Sequence, residues 1–216
     1  ALMDNPPEIM TSFQAPEGSG DTRLRVVTES VIYDVFKENI EMMQAGDTIW
    51  LGMFYLADFD VLEMLGEASE RGVDVRIVAD LNKDAFGIEK MGTPNRPALT
   101  ELVEDYPEIT VRFYKTDGEQ YHTKMVYFDY AEKKPHILLG SANFTRRNLR
   151  DYNLETNVEM VVQKNHPLDK EVDDYFHRIW ENQGGLYTEE MDAHREDNLL
   201  IRGLWKFQEQ FGLCTW

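Results

Sequence analysis

Four polar side chains fall at positions in the sequence where they could bind and attack a phosphate group. His122 and Lys124 lie two residues apart in a predicted strand, and Ser141 and Asn143 lie two residues apart on the predicted neighbouring strand. Because side chains two residues apart in a strand point to the same face, each pair shares a face. A lysine ammonium and a carboxamide can bind the non-bridging oxygens of a phosphodiester, and an imidazole can attack its phosphorus. The spacing therefore indicates a site for phosphodiester chemistry.

The same residues resemble the signature of the phospholipase D superfamily, His-x-Lys-x4-Asp followed by Gly-Ser-x-Asn. His122, Lys124 and Asp129 match the first part, and residues 140–143 (Gly-Ser-Ala-Asn) match the second. Glu155 fills the place of a glutamate that usually follows this asparagine in the family. The resemblance implies an α/β fold, with a mixed sheet flanked by helices in a phospholipase D-like α-β-α sandwich.

The chain departs from the family pattern at two points. Residues 130–139 separate the aspartate from the glycine, which is more than is usual in the family. Because residues 131–135 have the polar composition of a hairpin tip, we expect a longer turn between strands that remain paired. The second departure is that enzymes of the family use two such motifs, whereas this chain has one.

The resemblance implies a role for each matching residue. In the family one histidine attacks phosphorus to form a phosphohistidine, a second protonates the leaving alcohol, and water or another alcohol then attacks the intermediate. His122 would be either the nucleophile or the general acid. Lys124 and Asn143 would bind phosphate oxygens, and Ser141 would hydrogen-bond within the site. Glu155 would orient the histidine of the partner half, as a carboxylate does in a triad.

The catalytic role of Asp129 competes with a structural one. It lies five residues beyond Lys124, so in a regular strand it falls on the opposite face. No metal or other cofactor is implied, since lysines neutralise the phosphate charge in this family.

Residues 82–97 form a predicted long loop that is rich in Gly and Pro. The loop is similar to one in the carboxy-terminal half of two-motif bacterial enzymes, the phosphatidyltransferase or cardiolipin synthase-like group. Lys83, Asn95 and Arg96 are candidates for contacts with a substrate head group at the entrance of the site. The alternative is an ordinary surface loop.

A single motif implies a second half that bears its own His-x-Lys. Either two copies of the chain pair about a twofold axis, or the chain is the second half of a longer polypeptide. The linker-like beginning, the first residue Ala1 in place of methionine and the loop at residues 82–97 favour the longer polypeptide. On that interpretation His122 is the histidine of the second motif.

The elements that must position these residues alternate between strand and helix, which also predicts an α/β fold. Strands are expected at residues 23–28, 48–56, 73–80, 109–114 and 158–162 and on both sides of the hairpin tip, with helices at 31–43, 61–68, 98–104, 168–182 and 198–213. Residues 1–22 are predicted to be a linker or leading arm, 23–190 the catalytic domain and 191–216 a helical extension. We expect the extension to pack on the domain, and the alternative is a contact with the second half or with a bilayer surface.

The composition narrows the choice of substrate. With 40 acidic and 22 basic residues the net charge is −18, which disfavours nucleic-acid backbones and anionic lipid. A phospholipid-type diester is therefore the favoured substrate. A single-motif homodimeric nuclease remains an alternative because Arg146, Arg147 and Arg150 follow the motif. A non-catalytic binding module is the third possibility, and the complete set of motif residues argues against it.

Overall fold

The computed structural model describes residues 22–82, 84–85, 88–89 and 92–214. The predicted arm at residues 1–22 lies outside the described residues, apart from Thr22. None of the described helices is both long enough and apolar enough to cross a bilayer.

Eight strands form one mixed sheet, and two short strands form a separate hairpin. In chain order the strands are β1 (Arg23–Thr28), β2 (Thr48–Met53), β3 (Asp74–Ala79), β4 (Asp84–Ala85), β5 (Ile88–Glu89), β6 (Thr110–Tyr114), β7 (Lys124–Asp129), β8 (His136–Gly140), β9 (Thr156–Val161) and β10 (Thr188–Glu190). The order across the large sheet is β1-β9-β8-β7-β2-β3-β6-β10. Strands β2, β3 and β6 are parallel to one another, and every other neighbouring pair is antiparallel.

Helices connect the parallel strands and cover the sheet. They are α1 (Val31–Glu41), α2 (Phe59–Glu70), α3 (Asn95–Asp105), α4 (Arg146–Leu149), α5 (Pro167–Trp180) and α6 (Leu199–Gln210), with a 3-10 turn at Met191–His194. Parallel strands require such crossover connections, which explains why α2 and α3 lie between β2, β3 and β6 in the chain. The predicted α/β fold with a mixed sheet is confirmed.

The sheet separates two apolar layers. Helices α1, α2 and α3 pack on one face, where Phe36, Leu65 and Leu99 belong to the larger core cluster. Helix α5 packs on the other face, where Phe176 stacks on Trp50 with ring centroids 5.4 Å apart. The α-β-α arrangement follows from these two layers.

The register brings five strand ends to one edge of the sheet. Met53 at the end of β2 pairs with both Ala79 at the end of β3 and Lys124 at the start of β7. Farther along the same edge, Gly140 at the end of β8 pairs with Asn157 near the start of β9. We call this edge, formed by the ends of β2, β3, β7, β8 and β9, the motif edge, because Lys124 and Gly140 of the sequence motif lie on it.

Two element boundaries differ from the sequence prediction for clear physical reasons. The strand predicted at residues 48–56 ends at Met53, because the Leu56 N–H bonds to the Asn95 side chain instead of to a strand. The loop predicted at residues 82–97 contains the hairpin β4–β5, and its last three residues form the first turn of α3. Pro97 is tolerated there because the first turn of a helix does not use its backbone N–H groups.

Candidate active site

His122 and Lys124 meet at the motif edge. Lys124 is the first residue of β7 and is only 9% exposed, whereas His122 precedes the strand and is exposed. The Lys124 Nζ lies 3.2 Å from Nε2 and 3.3 Å from Nδ1 of the His122 ring. The structure therefore places the ammonium directly against the imidazole.

Burial and this contact set the protonation of the pair. Desolvation lowers the pKa of Lys124 to about 8, against the opposing effect of the carboxylates of Glu155 and Asp80. The pKa of His122 is lowered below its ordinary value by desolvation first and by the Lys124 charge second. Between these two pKa values the imidazole is neutral and the ammonium is charged. A neutral imidazole can act as a nucleophile, and the charged lysine can bind a phosphate oxygen.

An aromatic ring supports both side chains. The ring of Phe54 lies 4.7 Å from that of His122, and the Lys124 Nζ lies 5.0 Å from the Phe54 ring centre. The Phe54 N–H donates to the carbonyl of Thr123 at 2.8 Å, which ties the end of β2 to the segment that carries His122. These contacts restrict the positions open to the imidazole.

Ser141 and Glu155 form a second polar group on the same edge. The Ser141 Oγ donates to Glu155 Oε2 at 2.5 Å and accepts from the Thr156 N–H at 3.0 Å. The other carboxylate oxygen of Glu155 accepts from the Asn148 side chain, and Glu155 is buried. Since both carboxylate oxygens are held, Glu155 has one fixed orientation beside Ser141.

Asn143 presents an amide whose hydrogen bonding is incomplete. Its Oδ1 is buried and has no hydrogen-bond partner among the described residues. The following residue is anchored on both sides, since the Phe144 N–H donates to Tyr55 and the Ala57 N–H donates to the Phe144 carbonyl. Buried polar atoms without a partner are uncommon and call for an explanation. A bound ligand is one explanation. If the Asn143 carboxamide rotates by half a turn, its Nδ2 can donate to a phosphate oxygen.

Gly140 is required by the close approach of β8 and β9. A Cβ on Gly140 would lie 2.3 Å from the Thr156 carbonyl oxygen and 2.5 Å from the Asn157 Cα. Beside it, the Ala142 N–H donates to Asn157 Oδ1 at 3.1 Å. The glycine of the motif therefore lets the strand pair close under Ser141.

Two residues that the sequence analysis did not select hold the site together. Asp80 follows β3, is buried, and accepts from the Tyr121 N–H at 2.7 Å, which fixes the chain just before His122. Asn148, in α4, holds Glu155 as described above. A polar residue directly after an apolar strand was a usable signal for Asp80. The Asn148 contact joins separate loops and has no such signal.

The predicted loop contacts are placed differently from the expectation. Asn95 is completely buried: its Nδ2 donates to the carbonyls of Phe54 and Asp80, and its Oδ1 accepts from Leu56. This amide holds the ends of β2 and β3 together, which leaves it unable to contact a head group.

Arg96 is likewise engaged within the fold. Its guanidinium donates to the carbonyls of His194 and Arg195 and lies 3.5 Å from a carboxylate oxygen of Glu196. The structure therefore gives Arg96 a role in fixing the segment before α6. The third predicted contact, Lys83, lies outside the described residues.

Asp129 is not part of the site. It is the last residue of β7, so it lies about 17 Å along the strand from Lys124 at roughly 3.3 Å per residue. Its Oδ1 is 3.3 Å from the Lys164 Nζ. The geometry therefore supports a structural role for Asp129. At this distance from Lys124, Asp129 cannot contact the substrate in the site of its own chain.

The arginines that follow the motif are partly committed to other contacts. The Arg150 guanidinium bonds to Asp60, lies 3.6 Å from Asp58 and is 3.8 Å from the ring centre of Tyr33. The Arg147 Nε donates to the Asn153 side chain at 3.0 Å. Among the described residues, no group of three or more His, Cys, Asp or Glu side chains could hold a metal ion.

Comparisons with known proteins agree with the motif. The family model described as "Cardiolipin synthase, PLD-like domain" matches residues 39–180, more than half of the chain. Among curated proteins, none matches the chain in sequence.

Several solved structures share the fold at low sequence identity. NucT from Helicobacter pylori is 15% identical with a TM-score of 0.58, covering 74% of this chain and 96% of NucT. Nuc from Salmonella typhimurium, described as a phospholipase D family member, is 19% identical with a TM-score of 0.58, covering 81% of this chain and 99% of Nuc. Phosphatidylserine synthase from Haemophilus influenzae Rd KW20 is 16% identical with a TM-score of 0.60, covering 88% of this chain and 46% of the synthase.

Proposed function

Because this chain belongs to the phospholipase D superfamily, we propose that it catalyses phosphodiester hydrolysis or phosphatidyl transfer and supplies one of two catalytic halves. The observation that carries the proposal is the contact of the Lys124 ammonium with the His122 ring at an open edge of the sheet. Ser141, held by Glu155, lies on the same edge. This arrangement places a neutral imidazole, the nucleophile, beside the positive charge of Lys124. Attack on an anionic diester requires both.

The proposed reaction has two steps. If His122 is the nucleophile, its ring nitrogen forms a bond to phosphorus while the bond from phosphorus to the leaving alcohol breaks. The histidine of the second half gives that alcohol its proton. Water or an acceptor alcohol then attacks phosphorus, transfers its own proton to the same histidine, and releases His122. In the reverse assignment His122 is the proton donor, and the chemistry is otherwise the same.

Lys124 and Asn143 are proposed to bind the non-bridging oxygens throughout. The lysine is charged below its pKa of about 8, and phosphate would stabilise that charge further. Glu155 is proposed to act on the histidine of the second half, because its position is fixed by Ser141 and Asn148 at the site edge. Ser141 is then a positioning residue.

Among the described residues, a second half has an exposed apolar surface to bind. On the sheet face that carries α5, Leu24 and Val26 of β1 are 63% and 68% exposed. They pair with Met160 and Val158 of β9, which are only half-buried. We call these four residues the sheet strip. Contiguous exposed apolar side chains of this kind mark protein contacts, and the strip runs towards the motif edge.

A second copy of this chain is the simplest occupant of the sheet strip. In a twofold pair the same patch serves both partners, so one self-complementary strip is sufficient. Each copy would then bring its own His122 to a shared site. In such a pair the single His-x-Lys motif of each copy would supply the histidine that the other copy lacks, whereas in a longer polypeptide the first half would supply it.

The charges favour a lipid-type diester over nucleic acid. The net charge of −18 opposes a polyanion, and the Arg150 guanidinium is already paired with Asp60. A phosphatidyl group presents one diester charge, which Lys124 can neutralise without a basic groove.

The test is turnover of bis(4-nitrophenyl) phosphate, measured together with mass by light scattering on the same sample. We expect turnover per chain to rise with the dimer fraction, because the site needs two halves. His122→Ala should lower it by at least about a hundredfold, since the chemical step loses its acid or nucleophile.

His177→Ala is the matched control, because this half-exposed histidine lies on α5, where it contacts Asp173, Glu181 and the edge of the Trp50 ring. It should retain the wild-type rate. Turnover by a monomer, or turnover that survives His122→Ala, would contradict the proposal.

A further inference from the structure

Within the described part of the chain, helix α6 packs on the protein through one of its faces. Trp205 is buried and its ring lies 5.5 Å from that of Phe59, and Glu209 is completely buried, with an oxygen that accepts from the Arg146 N–H. Burial raises the pKa of Glu209 to about 7, against that backbone hydrogen bond. The inward face of α6 is therefore fixed by residues four positions apart.

The opposite face of α6 carries a second apolar stripe, which is exposed. Leu200, Leu204, Phe207 and Phe211 follow one another at spacings of four, three and four residues and so share one side of the helix. Leu200 is 83% exposed and Phe207 57%. The rings of Phe207 and Phe211 contact each other at 4.9 Å and nothing buries them among the described residues. At 1.5 Å per residue the stripe is roughly 16 Å long.

The stripe continues to the rim of the candidate active site. The Tyr152 ring packs so closely on Gly212 that a Cβ there would lie 3.1 Å from it. Tyr152 is itself exposed, and Leu154, directly before the site residue Glu155, is 92% exposed. We call the six residues Leu200, Leu204, Phe207, Phe211, Tyr152 and Leu154 the α6 ridge.

The second catalytic half is not expected to bind the ridge. The sheet strip lies on the face that carries α5, whereas α6 packs outside α2 and α3 on the other side of the sheet. The four ridge residues on α6 and at its end also lie beyond residues 39–180, which the family model matches, whereas Tyr152 and Leu154 lie within that range. One flat contact cannot cover both surfaces.

The charges on α6 disfavour a polyanion as the occupant of the ridge. Arg202 bonds to Glu104 and Lys206 lies 2.8 Å from Glu101, so both cations of α6 are paired with carboxylates of α3. A surface of leucine and aromatic side chains with neutralised cations matches the boundary between head groups and hydrocarbon in a bilayer without net charge.

We propose that the α6 ridge docks the protein on a zwitterionic lipid surface and thereby presents phospholipid to the motif edge. The ridge starts at the site rim, and a phosphatidyl substrate has its diester directly beside its hydrocarbon chains. Docking along α6 would hold that diester at the height of Glu155 and Lys124. The inference rests on the proposed function for its substrate, but lipid binding itself needs no turnover.

The experiment is flotation of the full chain with vesicles of pure phosphatidylcholine. We expect wild-type protein to float, in low and high salt alike, because the contact is apolar. Phe207→Gln/Phe211→Gln should lower the partition coefficient at least about tenfold, since two large apolar side chains no longer enter the lipid. Circular dichroism and the urea midpoint of each variant show whether α6 remains folded.

Met42→Gln/Leu186→Gln is the matched control, because these apolar side chains are 44% and 59% exposed away from α6. It should float like wild type. Wild type that stays at the bottom of the gradient, or a ridge variant that floats equally well, would overturn the proposal. So would a wild-type dimer that the ridge substitutions convert to a monomer, because a second copy would then cover the ridge.

The outcomes separate the two proposals. His122→Ala should still float, because lipid binding does not involve the catalytic histidine. A wild-type chain that floats but does not turn over a diester would therefore refute only the proposed function. A chain that turns over a soluble diester but does not bind phosphatidylcholine refutes only the docking role of the ridge.

Discussion

At the scale of single residues, the chemistry depends on one contact between two basic side chains. The Lys124 Nζ lies against both ring nitrogens of His122, and it raises the free energy of the imidazolium more than that of the neutral ring. Glu155 and Asp80 keep the lysine charged in spite of its burial. The two side chains are therefore held in complementary protonation states.

Replacement of Lys124 tests this electrostatic coupling directly. In Lys124→Met we expect the pKa of His122 to rise towards its ordinary value, because the neighbouring positive charge is gone. It should remain below that value, because desolvation is the larger cause of the shift. The measurement is an NMR pH titration of the histidine ring protons, with the His122 signal identified by its loss in His122→Ala.

Lys133→Met provides the control, because Lys133 is an exposed lysine beyond the far end of β7. It should leave the His122 titration unchanged. A His122 pKa that falls or does not move in Lys124→Met would show that the contact is not made in solution.

The placement of site residues was predictable where it depends on strand periodicity. Alternation along the predicted strand separated Asp129 from Lys124, as the structure has it, but His122 precedes β7, so its contact with Lys124 is not one between alternate residues of a strand. It could not show that Asn95 is internal. The Gly and Pro content of residues 82–97 suggested a loop, while the buried Asn95 amide is used to tie β2 to β3.

At the scale of elements, the motif glycine decides how closely β8 and β9 approach. Gly140→Ala places a methyl group 2.3 Å from a backbone oxygen, and backbone cannot move aside as a flexible side chain can. We expect a loss of about 1–3 kcal/mol in the free energy of unfolding, as for other overpacked positions. Urea unfolding followed by circular dichroism measures it.

Gly203→Ala is the opposite case and serves as the control. Gly203 lies within α6 and its added Cβ would meet nothing within 4 Å. Alanine should stabilise the helix by up to about 1 kcal/mol. If Gly140→Ala were as stable as wild type, β8 and β9 would not be as close as the structure has them.

Helix periodicity has a limit that α6 illustrates. The apolar residues of α6 lie on both sides of the helix, and the sequence alone predicts a helix packed on the domain without showing which side faces inward. The structure buries the side of Trp205 and leaves that of Phe207 exposed. Contacts with other helices determine this orientation. Trp205 packs against Phe59, and Arg202 and Lys206 form ion pairs with α3.

At the scale of the whole molecule, two apolar surfaces lie on opposite sides of one sheet, and each has a different proposed occupant. The sheet strip faces the side of α5 and is proposed to bind the second half, while the α6 ridge is proposed to bind lipid. The division explains how a protein of net charge −18 could act at a membrane surface, since neither contact needs positive charge.

Substitution of the sheet strip separates these two surfaces by experiment. We expect wild-type chains to dimerise in light scattering, and Leu24→Gln/Val26→Gln to weaken the dimer at least about tenfold, because two exposed apolar side chains lose their burial in the pair. Met42→Gln/Leu186→Gln should dimerise like wild type. Because both strip residues lie on an edge strand with their side chains in solvent, the monomer should unfold at an unchanged urea concentration. Turnover per chain should fall in parallel with the dimer fraction. If the strip variant dimerised like wild type, the second half would have to bind another surface of the molecule.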